Sequence, residues 1–202
     1  SAVKVGGERA YKLHRRGVAV EMPVRRSTVR ELQLVDFDGK AATLDVLVEK
    51  PGRYLGNELG AAHKPWDRTT TRWVLTYPEV YEVGLSNLGH IILYSLLNAQ
   101  PRQLCDRAYL PAPDFAQKLR QTQTPLFAVE SRRPLTDFDI LGFSLSYELG
   151  ATNILEMLDL AGIPLTWQER LAPGAWQPET GSYPLIFAGG QTATSNPEPY
   201  AD

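Results

Sequence analysis

The stretch from Asp139 to Gly190 constrains the fold more than any other part of the chain. It begins with an apolar run at 139–146 and continues with apolar residues at helical spacing over 151–161. A second apolar run, 184–190, follows a loop that contains Pro and Trp, and it ends in two glycines. A buried strand, a crossover helix and a second buried strand form a βαβ unit, which predicts parallel pairing and a right-handed crossover.

Small and polar residues follow both of these strands. Ser144 and Ser146 close the first strand, and Gly189, Gly190 and Thr192 close the second. Ligands of parallel α/β sheets dock outside the carboxyl ends of the strands. These five residues, together with Tyr147, Glu148 and Gln191 beside them, are therefore the first candidates for a binding site.

The region from residue 70 onward repeats the alternation of strand and helix. Strands are predicted at 73–77 and 104–110, helices at 87–99 and 114–121, and a short strand or irregular connector at 126–130. Ser86 or Asn87 can serve as the N-cap of the first helix. This order predicts an α/β fold with a doubly wound, mainly parallel sheet. Because no closing helix or strand follows Pro199, we expect the chain to be truncated at its C-terminus.

The N-terminal part differs in kind, and we predict two domains, at 1–48 and 49–202. Strand-type residues occur at 17–24, 29–37 and 41–48, with a turn signal at 36–39. Strands this few and short do not hold a core by themselves. We therefore expect a small β extension that packs on the main domain, on a partner chain or on another part of the protein.

Composition limits the classes of protein to which the chain can belong. Cys105 is the single cysteine, so the chain forms no internal disulfide, which favours a reducing compartment. No apolar run approaches the roughly 18 residues of a membrane span, and no secretion signal precedes the fold. We predict a cytoplasmic protein without a membrane partner.

The net charge of −2 conceals a basic N-terminus. Residues 1–30 contain eight basic and two acidic side chains, a net charge of +6, so the remainder carries −8. One interpretation is a solvated basic arm; the other is a contact for RNA or an acidic partner. Tyr11 is the only aromatic residue in this arm.

The loop after the first strand contains the spacing Glu79-x-Tyr81-x-x-Gly84. In a doubly wound fold this loop commonly anchors a cofactor, and dinucleotides require a pattern such as G-x-G-x-x-G. A single glycine precedes the helix here. The loop therefore argues against a dinucleotide site of that kind.

Several separate blocks of sequence resemble one known family. They are Arg53-Tyr-Leu-Gly-Asn-Glu58, His63-Lys-Pro-Trp66, Tyr77-Pro-Glu-Val-Tyr-Glu-Val-Gly84, Ser86-Asn-Leu-Gly89, Gly142-Phe-Ser-Leu-Ser-Tyr-Glu148 and Ala188-Gly-Gly-Gln-Thr192. Together they resemble the N-terminal, B12-binding-like (Rossmann-like) domain of a family of radical SAM proteins. The resemblance covers about residues 50 to 202.

This resemblance implies an accessory domain that precedes a barrel holding a [4Fe–4S] cluster and S-adenosylmethionine. Cobalamin becomes a candidate cofactor, the rest of the polypeptide becomes the expected partner, and the cofactor-binding positions become Glu79, Tyr81, Gly84, Ser144, Ser146, Gly189, Gly190 and Thr192. Base-off cobalamin domains use Asp-x-His-x-x-Gly, whereas this chain has Tyr81 in place of the histidine. A phenol that titrates near pH 10 is a poor cobalt ligand at neutral pH. With one cysteine the chain cannot hold the cluster either, so cluster and S-adenosylmethionine are expected only in a missing C-terminal part.

Other interpretations remain open beside this one. Gly189 and Gly190 can serve close packing alone, and His90 is expected to be a packed or capping histidine. Glu79, Glu82 and Glu148 can converge above the sheet for acid–base work. No base–nucleophile pair is assignable, however, so we predict neither catalytic nor metal-ligating residues in this chain.

The polar segment between Arg53 and Arg68 mixes cations with the indole of Trp66. It suits a nucleic acid or a nucleotide-containing ligand, and it suits equally a lid that packs the entry of the domain. The rival functions are thus an RNA- or acidic-partner-binding module, and a structural docking domain without a ligand.

Overall fold

The computed structural model describes residues 4–5, 8–9, 48, 50–56, 58–171 and 183–200. The chain divides into two compact units, residues 1–30 and 31–202. In the first unit, β1 (Lys4–Val5) and β2 (Glu8–Arg9) pair antiparallel. The strands predicted at 17–24, 29–37 and 41–48 fall outside the described residues except for Val48. The domain boundary predicted after residue 48 stays a prediction.

The second unit is a doubly wound α/β fold, as predicted. Its sheet consists of β3 (Thr71–Tyr77), β4 (Gln103–Tyr109), β5 (Ile140–Ser144) and β6 (Leu185–Gly189). The strands are all parallel and lie in the order β4-β3-β5-β6. The helices are α1 (Tyr81–Leu85), α2 (Leu88–Ala99), α3 (Pro113–Thr122), α4 (Gly150–Leu160), α5 (Trp167–Arg170) and α6 (Gln191–Ser195). 3₁₀ turns occur at Pro51–Tyr54, Trp66–Arg68, Leu135–Asp137 and Glu198–Tyr200.

The strand order determines which helices cover which face of the sheet. From β3 the chain crosses to β4 on one side through α2, and then returns past β3 to β5 through α3. Right-handed crossovers require those two helices to lie on opposite faces. The α2 face carries Leu75 and Cys105, which pack against Tyr94 of α2.

The main hydrophobic core lies on the other face, which we call the α3/α4 face. Strand residues Val74, Ala108, Leu141 and Phe143 pack there with residues of α3 and α4. The helical members of this core are Phe115, Ala116, Leu119, Met157, Leu158 and Leu160. Arg120 of α3 also donates hydrogen bonds to Glu156 and Asp159 of α4. The two helices therefore share one face of the sheet.

Local signals in the sequence explain where the helices begin and end. Asn87 is the N-cap of α2, and its Oδ1 accepts a hydrogen bond of 3.0 Å from the His90 amide, as predicted. Pro113 occupies the first turn of α3, and the helix ends at Gln123 in the left-handed conformation with φ of 53°. Within the described part of the chain, no helix has the length and apolarity that a membrane span requires.

The outer edge of β4 is covered by the segment 126–134, which we call the edge cover. The Val129 amide donates to the Arg107 carbonyl at 2.8 Å, and Phe127 forms a bridge with Pro134. The sequence predicts either a short strand or an irregular connector at 126–130, and the structure shows a connector. Because the cover satisfies backbone groups of an edge strand, it protects that edge from pairing with other chains.

Candidate functional site

A cleft of about 470 Å³ opens on the α2 face, above β5 and β6. We call it the α2 cleft. Its walls are mainly apolar, and its lining includes Trp73, Leu75, Asn87, His90, Leu93, Leu97, Ser144, Ser146, Phe187, Gly189 and Gly190. Four of the residues predicted from the sequence as a cofactor site are thus gathered in one cleft: Ser144, Ser146, Gly189 and Gly190.

Gly189 leaves part of the floor of this cleft open, whereas Gly142 packs closely against Leu75. Gly189 lies directly beside Ser144 in the register of β5 and β6. A Cβ atom added at Gly189 would have no heavy atom within 4 Å, and one added at Gly142 would lie 3.1 Å from the Leu75 side chain. The backbone of β6 is therefore exposed to a flat group that enters the cleft.

His90 connects the cleft to the interior of the unit. It is 1% exposed, and its Nδ1 lies 3.2 Å from the Ser144 hydroxyl. Burial, with a smaller effect of Arg107, lowers the pKa of His90 to about 4, so the imidazole is neutral at pH 7. Among the described residues, its Nε2 has no hydrogen-bond partner. The expectation of a packed histidine is met.

The polar end of the cleft lies where β3 and β5 finish. The Tyr77 hydroxyl donates to Ser146 Oγ at 3.0 Å, and Asn87 Nδ2 donates to the Tyr77 hydroxyl at 3.4 Å. These side chains come from two strand ends and from the N-cap of α2. Ser146 and Asn87 line the cleft and present a hydroxyl and an amide group to it, and the buried Tyr77 hydroxyl holds them in place.

Gly190 and Thr192 shape the turn that follows β6. Gly190 has a φ of 111°, and a Cβ there would lie 2.3 Å from the Leu145 carbonyl oxygen. Only glycine fits this close approach of two backbones. Thr192 is buried, and its amide donates to the same carbonyl at 3.4 Å. Thr192 is not among the residues that line the cleft.

The predicted residues of the first loop lie outside the cleft lining. The Tyr81 hydroxyl donates a hydrogen bond to the Glu58 carboxylate. Burial and this bond raise the pKa of Tyr81 above its ordinary value, which keeps the phenol protonated. Gly84 is buried, and a Cβ there would lie 2.5 Å from the Tyr109 ring. Both residues therefore have structural contacts of their own.

Glu79 joins the loop after β3 to the loop and helix after β5. Its carboxylate accepts hydrogen bonds from the Tyr147 hydroxyl and, at 3.2 Å, from Asn153 Nδ2. Asn153 also donates to the Pro78 carbonyl at 2.8 Å. This arrangement fixes the two loops at the carboxyl edge of the sheet relative to each other.

The three carboxylates that the sequence suggested for acid–base work have different surroundings. Glu82 accepts hydrogen bonds from Arg53 at 2.8 and 3.0 Å, and these bonds lower its pKa. Glu79 binds Tyr147 and Asn153 instead, and Glu148 is exposed. In the ranges that the structure describes, no cluster of three His, Cys, Asp or Glu side chains is placed to hold a metal ion.

A buried ionic cluster around Arg107 was not foreseen from the sequence. Arg107 Nη2 lies 2.6 Å from Glu58 Oε2, and Arg107 Nε lies 2.7 Å from Glu130 Oε1. The guanidinium also stacks over the Tyr94 ring at 4.5 Å. Burial raises the pKa of Glu130 to about 7, and the Arg107 guanidinium opposes that rise. Glu58 and Glu130 are 49 and 23 residues from Arg107 in the sequence, and no periodic pattern of residues predicts a contact over such separations.

The polar segment between Arg53 and Arg68 belongs to the second unit and packs against its sheet and helices. Lys64 Nζ donates to the carbonyls of Asn98, Gln100 and Gln103 at 2.6 to 2.7 Å, in and just after the last turn of α2. The guanidinium groups of Arg72 and Arg133 both lie over the Trp66 ring, 4.8 and 4.3 Å from its centre. These contacts match the lid that the sequence suggested as one of its two interpretations.

Comparison with known proteins gives different relatives for the two parts of the chain. Residues 1–55 match the N-terminal domain of the TruB family of pseudouridylate synthases. The curated relatives include tRNA pseudouridine synthase B of Symbiobacterium thermophilum, 47% identical over 66 residues, which are 30% of this chain and 22% of the relative. The same enzyme of Chromobacterium violaceum is 42% identical over 65 residues, covering 31% of this chain and 21% of the relative. The chain thus spans about a fifth of the length of these relatives.

The second unit matches a different family. No solved structure gives a significant match to the chain. The family model described as "Radical SAM proteins, N-terminal" matches residues 89–202, which include α2 from its second residue, most of the lining of the α2 cleft and strands β4 to β6. Since this match extends over more than half of the chain, the chain belongs to the family of radical SAM proteins, as an N-terminal region.

Proposed function

We propose that the chain is an accessory, non-catalytic region of a radical SAM protein, and that its α2 cleft holds the flat tail of a cobalamin-type cofactor. The observation that carries the proposal is the gathering of Ser144, Ser146, Gly189 and Gly190 in one cleft of about 470 Å³. A [4Fe–4S] cluster and S-adenosylmethionine would reside in the rest of the polypeptide. The region would present the cofactor, or a substrate, to the barrel.

The residues of the cleft suit a planar heterocycle. The open floor at Gly189 admits a flat ring, and Leu75, Leu93 and Phe187 supply apolar walls. The Ser144 hydroxyl, held by the neutral His90, would bond to a nitrogen at the ring edge. A bound cobalamin would supply organometallic group transfer.

The first loop suits a cofactor that takes no cobalt ligand from this chain. The Tyr81 hydroxyl is hydrogen-bonded to Glu58 and stays protonated, and Gly84 packs against the Tyr109 ring. We therefore assign the binding role to the tail cleft and a structural role to Tyr81 and Gly84. The loop would support the corrin edge only through its shape.

Binding of hydroxocobalamin tests the proposal directly. The chain, at tens of micromolar, is incubated with hydroxocobalamin and desalted, and its visible spectrum is recorded. We expect retained corrin absorbance that falls at least about tenfold in Gly189→Leu, because the new side chain fills the cleft without meeting protein atoms at its Cβ. Gly52→Leu, at another glycine where an added Cβ would have no heavy atom within 4 Å, is the matched control. Absence of corrin absorbance in the unaltered chain would refute the cofactor role.

A second candidate function is RNA binding by the N-terminal residues. Two observations favour it: residues 1–30 carry a net charge of +6, and residues 1–55 match a domain of enzymes named for tRNA. Binding through phosphates would weaken steeply with salt. Arg15→Ala with Arg16→Ala should reduce the affinity for tRNA, whereas Arg102→Ala with Arg132→Ala, two exposed arginines of the second unit, should not. Equal loss in both double variants would contradict a specific role of the arm.

A further inference from the structure

The sheet of the second unit has two very different edges. At the β4 edge, the edge cover pairs with backbone groups of the strand. At the β6 edge, no described residue pairs with the outer side of the strand, since β6 pairs with β5 alone. β6 is also the most exposed strand of the sheet, with Leu185 at 45% and Phe187 at 50% exposure.

The backbone register identifies the groups that face outward. The Leu185 amide donates to Asp139 at 2.9 Å, and the Gly189 carbonyl accepts from Leu145 at 2.7 Å. In a parallel pair, alternate residues of a strand bond to the same neighbour. Ile186 and Ala188 therefore point their N–H and C=O groups away from β5.

Natural edge strands carry devices that prevent pairing, such as charges, bulges or a covering segment. Residues 183–192 contain no charged side chain, and Pro184 precedes the strand rather than interrupting it. The exposed edge also continues into the apolar side of the α2 cleft, through Phe187. The edge and the cleft form one surface, which we call the β6 surface, and no residue in the described part of the chain covers it.

We propose that the β6 surface pairs with a further strand of the same radical SAM polypeptide, parallel to β6, which extends the sheet. This inference rests on the proposed function in one respect, namely that the chain works as part of a longer radical SAM protein. It is independent of cobalamin.

The path of the chain after β6 supports this choice of occupant. The Tyr200 hydroxyl lies 3.4 Å from the Glu148 carbonyl, and Ala193 and Tyr200 pack against the core of the α3/α4 face. A right-handed crossover from β6 to a parallel strand outside it has to run over this face, as α4 does between β5 and β6. A second copy of the chain, by contrast, would pair antiparallel about a two-fold axis.

Amide exchange of two residues tests the inference. In the 202-residue chain, we expect the Ile186 and Ala188 amides to exchange rapidly, while Leu185 and Gly189 are protected. In the full-length polypeptide, the exchange of Ile186 and Ala188 should slow by about 100-fold or more. Unchanged exchange in the full-length polypeptide would overturn the inference. Protection of these amides in the 202-residue chain would also overturn it. Protection that does not depend on protein concentration would mean that a segment of this chain pairs with β6. Protection that rises with protein concentration would mean that a second copy does.

Proline substitutions give a second readout. Ala188→Pro removes only an outward N–H group, so the 202-residue chain should keep its melting temperature within a few degrees, while the full-length polypeptide loses stability. Phe187→Pro removes a bond to β5 and should destabilise both. An equal effect of Ala188→Pro on both proteins would count against the added strand. Corrin absorbance plays no part here, so this inference and the cofactor proposal fail separately.

Discussion

His90 Nδ1 and Ser144 Oγ lie 3.2 Å apart, and this contact joins a buried imidazole of α2 to the end of β5. The contact holds the hydroxyl at the wall of the α2 cleft. It also makes the second unit sensitive to acid, because a charged imidazole is costly in this environment.

Acid should destabilise the chain through His90. The pKa of His90 is lowered from 6.5 to about 4 by burial, so the unfolded chain binds more protons than the folded chain between these values. Stability therefore falls as the pH drops from 6.5 to 4, by roughly 3 kcal/mol from this group. Urea unfolding at pH 7, 5.5 and 4 measures the slope.

His90→Gln is the matched control for that slope, because it retains a polar side chain and removes the titration. Glu130 acts in the opposite direction, since its pKa is raised to about 7 and its contribution falls as the pH rises. Glu130 is present in both proteins, so the difference between them isolates His90. Identical pH slopes for the two proteins would exclude the predicted role.

Removal of the Arg107 charge should be severe. Arg107→Met leaves Glu130 and Glu58 beside each other without their cation, which typically costs about 3–5 kcal/mol for a buried pair. Arg120→Met breaks exposed pairs with Glu156 and Asp159 and should cost at most about 1 kcal/mol. Equilibrium denaturation compares them. Similar losses in the two variants would mean that burial does not set the strength of the Arg107 cluster.

Gly84 should tolerate no side chain, although it is not part of the cleft. In Gly84→Ala the new methyl group would lie 2.5 Å from the Tyr109 ring, and overpacking of this kind costs about 1–3 kcal/mol. Gly52→Ala, where the Cβ meets no heavy atom within 4 Å, should be nearly neutral. Thermal unfolding without any ligand is the measurement. If Gly84→Ala left the melting temperature unchanged, the structural role of Gly84 would be wrong, and the residue would again be a candidate for contact with a cofactor.

Lys64 should stabilise the C-terminal end of α2. Lys64→Met removes hydrogen bonds to the carbonyls of Asn98, Gln100 and Gln103, and the expected loss is about 1–3 kcal/mol. Lys118→Met on α3 is the control and should change stability by less than about 0.5 kcal/mol. If Lys64→Met instead left stability intact and abolished tRNA binding, the lid interpretation of this segment would be wrong.

The order of strands and helices could be predicted because local patterns carry it. The predicted helix 87–99 is α2 (Leu88–Ala99) with its Asn87 cap, and the predicted strand 104–110 is β4 (Gln103–Tyr109). The prediction that the strand ends share one edge also holds, since Ser144 pairs in register with Gly189. Parallel topology alone brings these residues together.

The arrangement of side chains at that edge could not be predicted in the same way. Nothing in the spacing Glu79-x-Tyr81-x-x-Gly84 reveals that Tyr81 bonds to Glu58 or that Gly84 packs under Tyr109. Those contacts depend on partners more than 20 residues away in the sequence. One local signal was overlooked: Thr166 and Glu169 form a capping box at the start of α5.

The central position of β3 has a consequence for synthesis on the ribosome. β3 emerges before both strands that flank it, and its pairing with β5 joins Trp73 to Ile140. The nascent chain can complete β3, α2 and β4 early, while the opposite side of β3 waits for about 30 more residues to be translated. During that interval Val74 and Thr76 have no neighbour on the β5 side, so a chaperone that acts on this protein should engage it before residue 140 leaves the exit tunnel.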